Sequence, residues 1–210
     1  MYKRQHAFHA SSLEFIEIPD SVQIIGHDAF RWCENLQYVS LPSQLSELQK
    51  STFQKCKCLK SLYIPESVLS IEGGCFYGCF NIDLRMANKD FKVIDDCLYQ
   101  ISTKALISCW SLKKHLCLAQ GLLRIEDNAF AACKHFDSMI IPNTTQYIGK
   151  NLFGNYGISE IHIPKSVEFI DPFAFDRNVK KIHVQIGQSV RIKAMLPSTY
   201  HDIIYESDWK

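Results

Sequence analysis

From residue 13 the apolar positions of the chain recur in a fixed order. LEFIEIPDSVQIIGHDAFRWCEN is followed by LQYVSLPSQLSELQKSTFQKCKC and then by LKSLYIPESVLSIEGGCFYGCFN. Prolines stand at 19, 42 and 65, phenylalanines at 30, 53 and 76, and cysteines at 33, 56 and 79, so every marker advances by 23 residues. Counting the first leucine of a unit as zero, offsets 3 and 5 are apolar, as in Val39 and Leu41, while offsets 2 and 4 vary. Side chains alternate along a strand, so the spacing predicts a short β-strand with offsets 3 and 5 facing inward. Pro42 has no N–H to donate and ends that strand in a turn through Ser43 and Gln44. Leu45 and Leu48 then point back inside, and Phe53 and Cys56 come from a tight helical turn that brings the chain round to Leu59. One such coil cannot bury its own flat faces. A repeat of this length is one turn of a solenoid, stabilised by its neighbours.

The phase persists beyond the third unit, but the spacing changes. A fourth unit opens with Ile82, Leu84 and Met86 and runs on into DFKVIDDCLYQISTKALISCW, making a long repeat over residues 82–112. Val93, Leu98 and Tyr99, then Leu106 and Ile107, form two apolar runs around the polar ISTK, which predicts a pair of strands joined by a turn. The regular pattern resumes with Leu118, Leu122, Ile125, Phe130 and Cys133, although Ala119 stands where proline is expected. The next units carry Ile141, Pro142, Ile148 and Phe153, then Ile163, Pro164, Val167, Ile170 and Phe175, with Tyr156 and Asn178 in place of cysteine. Residues 179–210 open with Val179, Ile182 and Val184. Val190, Ala194 and Met195 then predict a short helix stopped by Pro197, the outline of a C-terminal cap.

At the other end, Ala7, Phe8 and Leu13 match the close of a unit, so the chain enters its solenoid in mid-repeat. The first five residues, MYKRQ, resemble the translation of a transposase adapter used in sequencing libraries. Residues 1–5 are accordingly expected to be non-native and disordered, and residues 6–210 to form a single solenoid domain belonging to a longer protein.

The pattern L-x-x-L-x-I-P-x-S-V-x-x-I-x-x-x-A-F-x-x-C, almost intact over residues 13–35 and 59–81, resembles the BspA-type leucine-rich-repeat family. The long unit is similar to that family's hairpin-bearing variant, V-x-D-G-x-L-Y … K-x-L-I, at Val93, Asp95, Leu98, Tyr99, Lys104, Leu106 and Ile107. Two departures, Asp96-Cys97 in place of the usual D-G and the missing proline after Leu118, concern local turns. The resemblance implies a β-rich leucine-rich-repeat solenoid: stacked coils of about 23 residues with a parallel sheet, short helical turns, one inserted hairpin and a C-terminal cap. It also implies a cell-surface or secreted protein acting in adhesion to host matrix proteins or other cells. The family has no catalytic residues to carry over.

Charge narrows the field further. Lys and Arg number 23 against 22 Asp and Glu, a net charge of +1 with no basic run, which disfavours nucleic acid or an anionic membrane as partner. No apolar segment approaches the roughly 20 residues that span a bilayer. MYKRQHAFHA has no apolar core of the signal-peptide kind. No nucleophile elbow, phosphate loop, H-E-x-x-H or paired C-x-x-C is present, so neither an enzyme nor a cofactor is expected.

The remaining candidate chemistry lies in cysteine, histidine and the outward strand positions. Cys56, Cys58, Cys75 and Cys79 come nearest to a metal motif, yet Cys56 and Cys79 share with Cys33 and Cys133 the repeat's fixed cysteine position. These four are expected to be reduced and buried, small side chains packed inside the turn. Nine cysteines is an odd count, and their recurrence at one repeat position argues against a disulfide framework. His162 and His183 share an offset, which would place two imidazoles about 4.8 Å apart on the outer face. They are weak candidates for metal binding: no third ligand is evident, and an ordinary solvated face is the favoured reading. Asn143-Thr144-Thr145 is a glycosylation sequon in an expected turn.

Offsets 2 and 4 carry Phe15, Glu17, Tyr38, Tyr63, Leu84, Met86, His115, Ile140, Glu160, His162, Lys181 and His183. Phe15, Glu17, Tyr38, Tyr63, His115, Glu160, His162, Lys181 and His183 are read as a protein-binding face on the order of 40 Å long, with Tyr38 and Tyr63 as anchors. The expected partners of such a monomer are extracellular-matrix or cell-surface proteins, with no nucleic acid and no membrane insertion. The alternative is a scaffold or spacer within a larger surface protein whose binding sites lie elsewhere.

Overall fold

The computed structural model describes residues 2–3, 6–80, 82–111, 113, 116–133, 137–154 and 158–209, the first two as backbone only. Two rows of short parallel strands run along a solenoid. The strands expected ahead of each proline form the first row. Phe15–Glu17, Tyr38–Ser40, Ser61–Ile64 and Asp83–Met86 make one four-stranded parallel sheet, and Ser138–Ile140, Glu160–Ile163, Lys181–Val184 and Ile204–Glu206 make another. Inward residues such as Val39, Leu62 and Ile161 are buried, as period-two alternation requires.

A second row was not anticipated. It consists of the two-residue strands Ile24–Ile25, Glu47–Leu48, Ser70–Ile71, Arg124–Ile125, Tyr147–Ile148 and Phe169–Ile170, each with its second residue buried. Tyr2–Lys3 pairs in parallel with Ile24–Ile25, so the disorder expected for residues 1–5 does not hold at these two positions.

The inserted segment of the long repeat holds three strands rather than two. Phe91–Ile94, Cys97–Gln100 and Ala105–Cys109 form an antiparallel meander whose last strand pairs in parallel with Arg124–Ile125. The insertion thus extends the second row. Leu98, Ile107 and Trp110 pack into the N-terminal hydrophobic cluster, while Cys97, Tyr99, Leu106 and Cys109 pack into the C-terminal one. A sheet buried from both sides carries apolar residues on both faces, which is why ALISCW shows no polar alternation. The turn at Asp95 and Asp96 takes φ of 50° and 59°, the pair of left-handed residues that a two-residue type I′ hairpin demands. Aspartate tolerates that region, so the turn survives without the family's glycine.

The meander interrupts the strands but not the corners of the coils. Gly73 of the third coil lies against the backbone of Asp127, and so does Gly149 from the other side. Lys50 and Lys150 approach the same Asp127 carboxylate at 3.9 and 3.6 Å. The corners themselves differ from the tight helical turn expected around Phe53 and Cys56. They are successive hydrogen-bonded turns with left-handed residues at equivalent places: Asp28 and Trp32, Ser51 and Lys55, Gly74 and Gly78.

Inside the corners, phenylalanines stack from coil to coil. Phe8, Phe30, Phe53 and Phe76 follow one another at 5.3, 5.5 and 6.1 Å with nearly parallel rings. Each repeat cysteine donates its S–H to a carbonyl of the preceding coil: Cys33 to Phe8, Cys56 to Phe30, Cys79 to Phe53 and Cys133 to Cys109. All four are free thiols and buried. Burial drives the Cys79 and Cys133 thiols up to about 12 and raises Cys56 still more strongly. One correction concerns Cys97 and Cys109, which face each other across the meander and are joined as a disulfide. Neither occupies the repeat's cysteine position, so the argument from recurrence did not reach them.

The predicted helix is present as Ser189–Met195 and ends before Pro197. Beyond it, Ile204–Glu206 pairs in parallel with Lys181–Val184, so the terminal segment adds a further first-row strand. Among the described residues, no helix is long and apolar enough to cross a membrane.

Candidate protein-binding face

Among the described residues the outward positions of the first row form two patches, because the coil between the two sheets has no first-row strand among its described residues. The expected continuous face of about 40 Å passes through residues 112 and 114–115, which lie outside the described residues. In the N-terminal sheet the register pairs Phe15 with Tyr38 and Tyr38 with Ser61, while Glu17 pairs with Ser40 and Tyr63 with Arg85. Tyr38 and Tyr63 lie in neighbouring lanes as a diagonal pair, the arrangement that leaves long side chains within reach of each other. Phe15, Tyr38 and Tyr63 are 76%, 52% and 60% exposed. Lys60 approaches the Tyr38 ring at 5.7 Å, and its ammonium donates to Gln37.

Leu84 and Met86 do not belong to this face. Leu84 pairs with Leu62 and Met86 with Ile64, both inward positions, and Arg85 takes the outward place between them. The step from Leu62 to Leu84 is 22 residues, and a slip of one residue turns a strand over. Asp83 and Arg85 join the patch instead, bridged to each other at 2.9 Å in full solvent.

In the C-terminal sheet one lane runs Ser138, Glu160, Lys181 and the next runs Ile140, His162, His183, Tyr205. Lys181 donates to Glu160 at 2.8 Å, which holds the Glu160 carboxyl below its ordinary value. His162 and His183 stand side by side with ring centroids 4.4 Å apart and planes within 11°. They are not openly solvated. The indole of Trp209 covers His162, and His162 Nδ1 and His183 Nε2 are buried without hydrogen-bond partners. Burial, then the neighbouring His183, pushes the His162 imidazole below its usual range.

Stacked imidazoles present their faces to each other while their lone pairs lie in the ring planes, so the pair does not converge on an ion. The Glu160 carboxylate stands 3.5 Å from His183 Nε2. Trp209 also borders a cleft of about 420 Å³ with Leu116, Ile140 and Pro142. Asn143 of the sequon is exposed in its turn. His115, Asn81 and Tyr156 lie outside the described residues.

The model of the BspA type leucine rich repeat region matches in six copies, over residues 4–100 and 99–195. The chain belongs to the BspA-type leucine-rich-repeat family. A leucine rich cell surface protein from Faecalibacterium prausnitzii A2-165 is similar to this BspA-type chain at 24% identity and a TM-score of 0.68, covering 86% of this chain and 56% of its own. The pneumococcal vaccine antigen PcpA is similar at 20% identity and a TM-score of 0.53, covering 97% and 70%. A leucine-rich repeat protein from Eubacterium ventriosum ATCC 27560 is similar at 15% identity and a TM-score of 0.59, covering 88% and 63%. No curated protein matches. At these identities the solved structures establish a shared leucine-rich-repeat scaffold, and the chain spans 56% of the Faecalibacterium protein.

Proposed function

We propose that this BspA-type chain is a protein-binding module of a larger cell-surface protein, and that it engages extracellular-matrix or cell-surface proteins through the N-terminal patch of Phe15, Tyr38, Tyr63 and Arg85. One observation carries the reading: three large aromatic side chains stand more than half exposed on adjacent strands of a parallel sheet. Clustered exposed aromatics on a rigid surface are the composition of interface hot spots, since each contributes large contact area at small entropic cost. The C-terminal patch is a poorer candidate because Trp209 lies across it. Residues 6–210 are read as one repeat domain. Family membership and the similarity to a leucine rich cell surface protein support the location.

The alternative is a spacer, in which tyrosines merely cover the strands. Tyr38→Ser with Tyr63→Ser separates the two when binding to a panel of matrix proteins is measured beside the thermal midpoint. Lost binding with an unchanged midpoint supports the interface. Unchanged binding with a lowered midpoint overturns it.

A further inference from the structure

The first corner of the solenoid gathers histidines and a carboxylate that play no part in the strand face. Residues 6–10 repeat the corner of the following coil: Phe8 N–H donates to Ala29 O and Ala10 N–H to Arg31 O. This stacking lays His6 over Asp28, both left-handed, with φ of 58° and 57°. His27 Nδ1 lies 3.0 Å from Asp28 Oδ2, and His6 Nε2 lies 4.0 Å from the same oxygen. The three donor atoms are all within 4.8 Å of one another, and among the described residues no other group of three does this.

Ring orientation distinguishes this cluster from the His162 and His183 pair. His6 and His27 are nearly perpendicular, at 88° with centroids 5.6 Å apart, so their in-plane lone pairs can converge. His9 flanks His6 at 5.7 Å. Arg31 donates to Asp28 Oδ1 at 3.2 Å and so fixes the carboxylate while leaving Oδ2 towards the imidazoles. An outer partner of this kind is what orients a ligating carboxylate.

We propose that His6 Nε2, His27 Nδ1 and Asp28 Oδ2 bind a divalent transition-metal ion of the zinc class, with water in the fourth position. Two imidazoles and one carboxylate suit zinc, nickel or copper, whereas calcium and magnesium require shells of oxygen. In a tetrahedral site with bonds of about 2.0–2.1 Å the donors stand roughly 3.3 Å apart. His27 and Asp28 already meet that spacing, and His6, the most exposed of the three, swings inward. The ion would then tie the first turn to the next coil. The site shares no residue with the proposed binding face, so either can fail without the other.

Zinc and, in parallel, cobalt(II) are titrated into the full chain at neutral pH, with calorimetry, thermal midpoint and visible absorption as readouts. Cys58 and Cys117 are exposed and are replaced by Ser beforehand, so that no accessible thiol competes. One equivalent of zinc is expected to bind saturably and raise the midpoint. The cobalt spectrum is expected to lack a thiolate charge-transfer band. His6→Ala with His27→Ala should abolish binding, Arg31→Gln should weaken it about tenfold, and His162→Ala with His183→Ala should leave it intact. His6→Ala alone, at the exposed end, guards against a folding defect. No saturable zinc binding in the parent chain, or equal affinity in the His6 and His27 variants, overturns the proposal.

Discussion

Trp209 stands edge-on to His162, with ring centroids 5.2 Å apart and planes at 86°. A residue near the end of the chain thus closes over a strand about two coils' worth of sequence earlier. Aromatic pairs in this geometry contribute about 0.5–1.5 kcal/mol beyond the area they bury. Trp209→Ala is expected to lower stability by about 1–2 kcal/mol in urea unfolding, while leaving the N-terminal patch and its binding unchanged. An unchanged urea midpoint would show that the contact contributes nothing.

The same contact gives stability a pH dependence. His162 titrates below its ordinary value in the folded chain, through burial first and His183 second, while the unfolded chain titrates near 6.5. Protons therefore bind the unfolded state more readily. The stability present above about pH 6.5 is lost as pH falls through the lowered folded value. Glu160 acts in a separate window, contributing above its ordinary 4.5 and losing that contribution only as pH drops below it. Thermal midpoints at pH 7.5 and 5.5 should diverge less in His162→Gln than in the parent chain. Equal divergence in both would assign the loss to other groups.

How much was legible follows from the length of each pattern. Val39, Leu62 and Ile161 were readable as inward because a strand preceded by leucine and followed by proline offers several alternating positions. Ile24–Ile25 and its counterparts were not, since two residues cannot display a period. Leu84 was placed on the wrong face by one missing residue, a difference invisible while the apolar order remains the same. Cys97 and Cys109 meet through a register set by the antiparallel meander, which has an irregularity between Leu98 and Tyr99. Nothing in local spacing specifies that. Trp209 belongs to no repeat position and makes its contact only through the path of the last coil. The cluster of His6, His27 and Asp28 did leave a trace, in the similarity of HAF at residues 6–8 to HDAF at residues 27–30, but its convergence depends on stacking.

Thiol accessibility checks the cysteine assignments directly. Cys58 and Cys117 are exposed, Cys33, Cys56, Cys75, Cys79 and Cys133 are buried and free, and Cys97 is bonded to Cys109. Native labelling should modify the first pair quickly, denaturant should release the buried five, and the last two should react only after reduction. Rapid native labelling of Cys56 or Cys79 would contradict the closed turn. Replacing Cys97 and Cys109 by Ala removes a cross-link spanning 12 residues, and chain entropy puts the cost near 3 kcal/mol.

The corner glycines test whether the third and fifth coils are truly in contact beneath the meander. A Cβ on Gly73 would lie 2.6 Å from Asp127 O, and one on Gly149 would lie 2.8 Å from Asp127 N. Both obstacles are backbone atoms, which cannot rotate away as a side-chain tip does. Gly73→Ala and Gly149→Ala are each expected to cost about 1–3 kcal/mol, the range for forcing an extra methyl into a packed site. Gly121 provides the control for steric contact, because no atom lies within 4 Å of its Cβ position, although its φ of 77° adds strain of its own. Asp127→Ala removes the lysine contacts but leaves the backbone in place, so it should not rescue Gly73→Ala. If Gly73→Ala were neutral while Gly149→Ala was destabilising, the third coil would have to stand away from the fifth, and the long repeat would separate the corners as well as the strands.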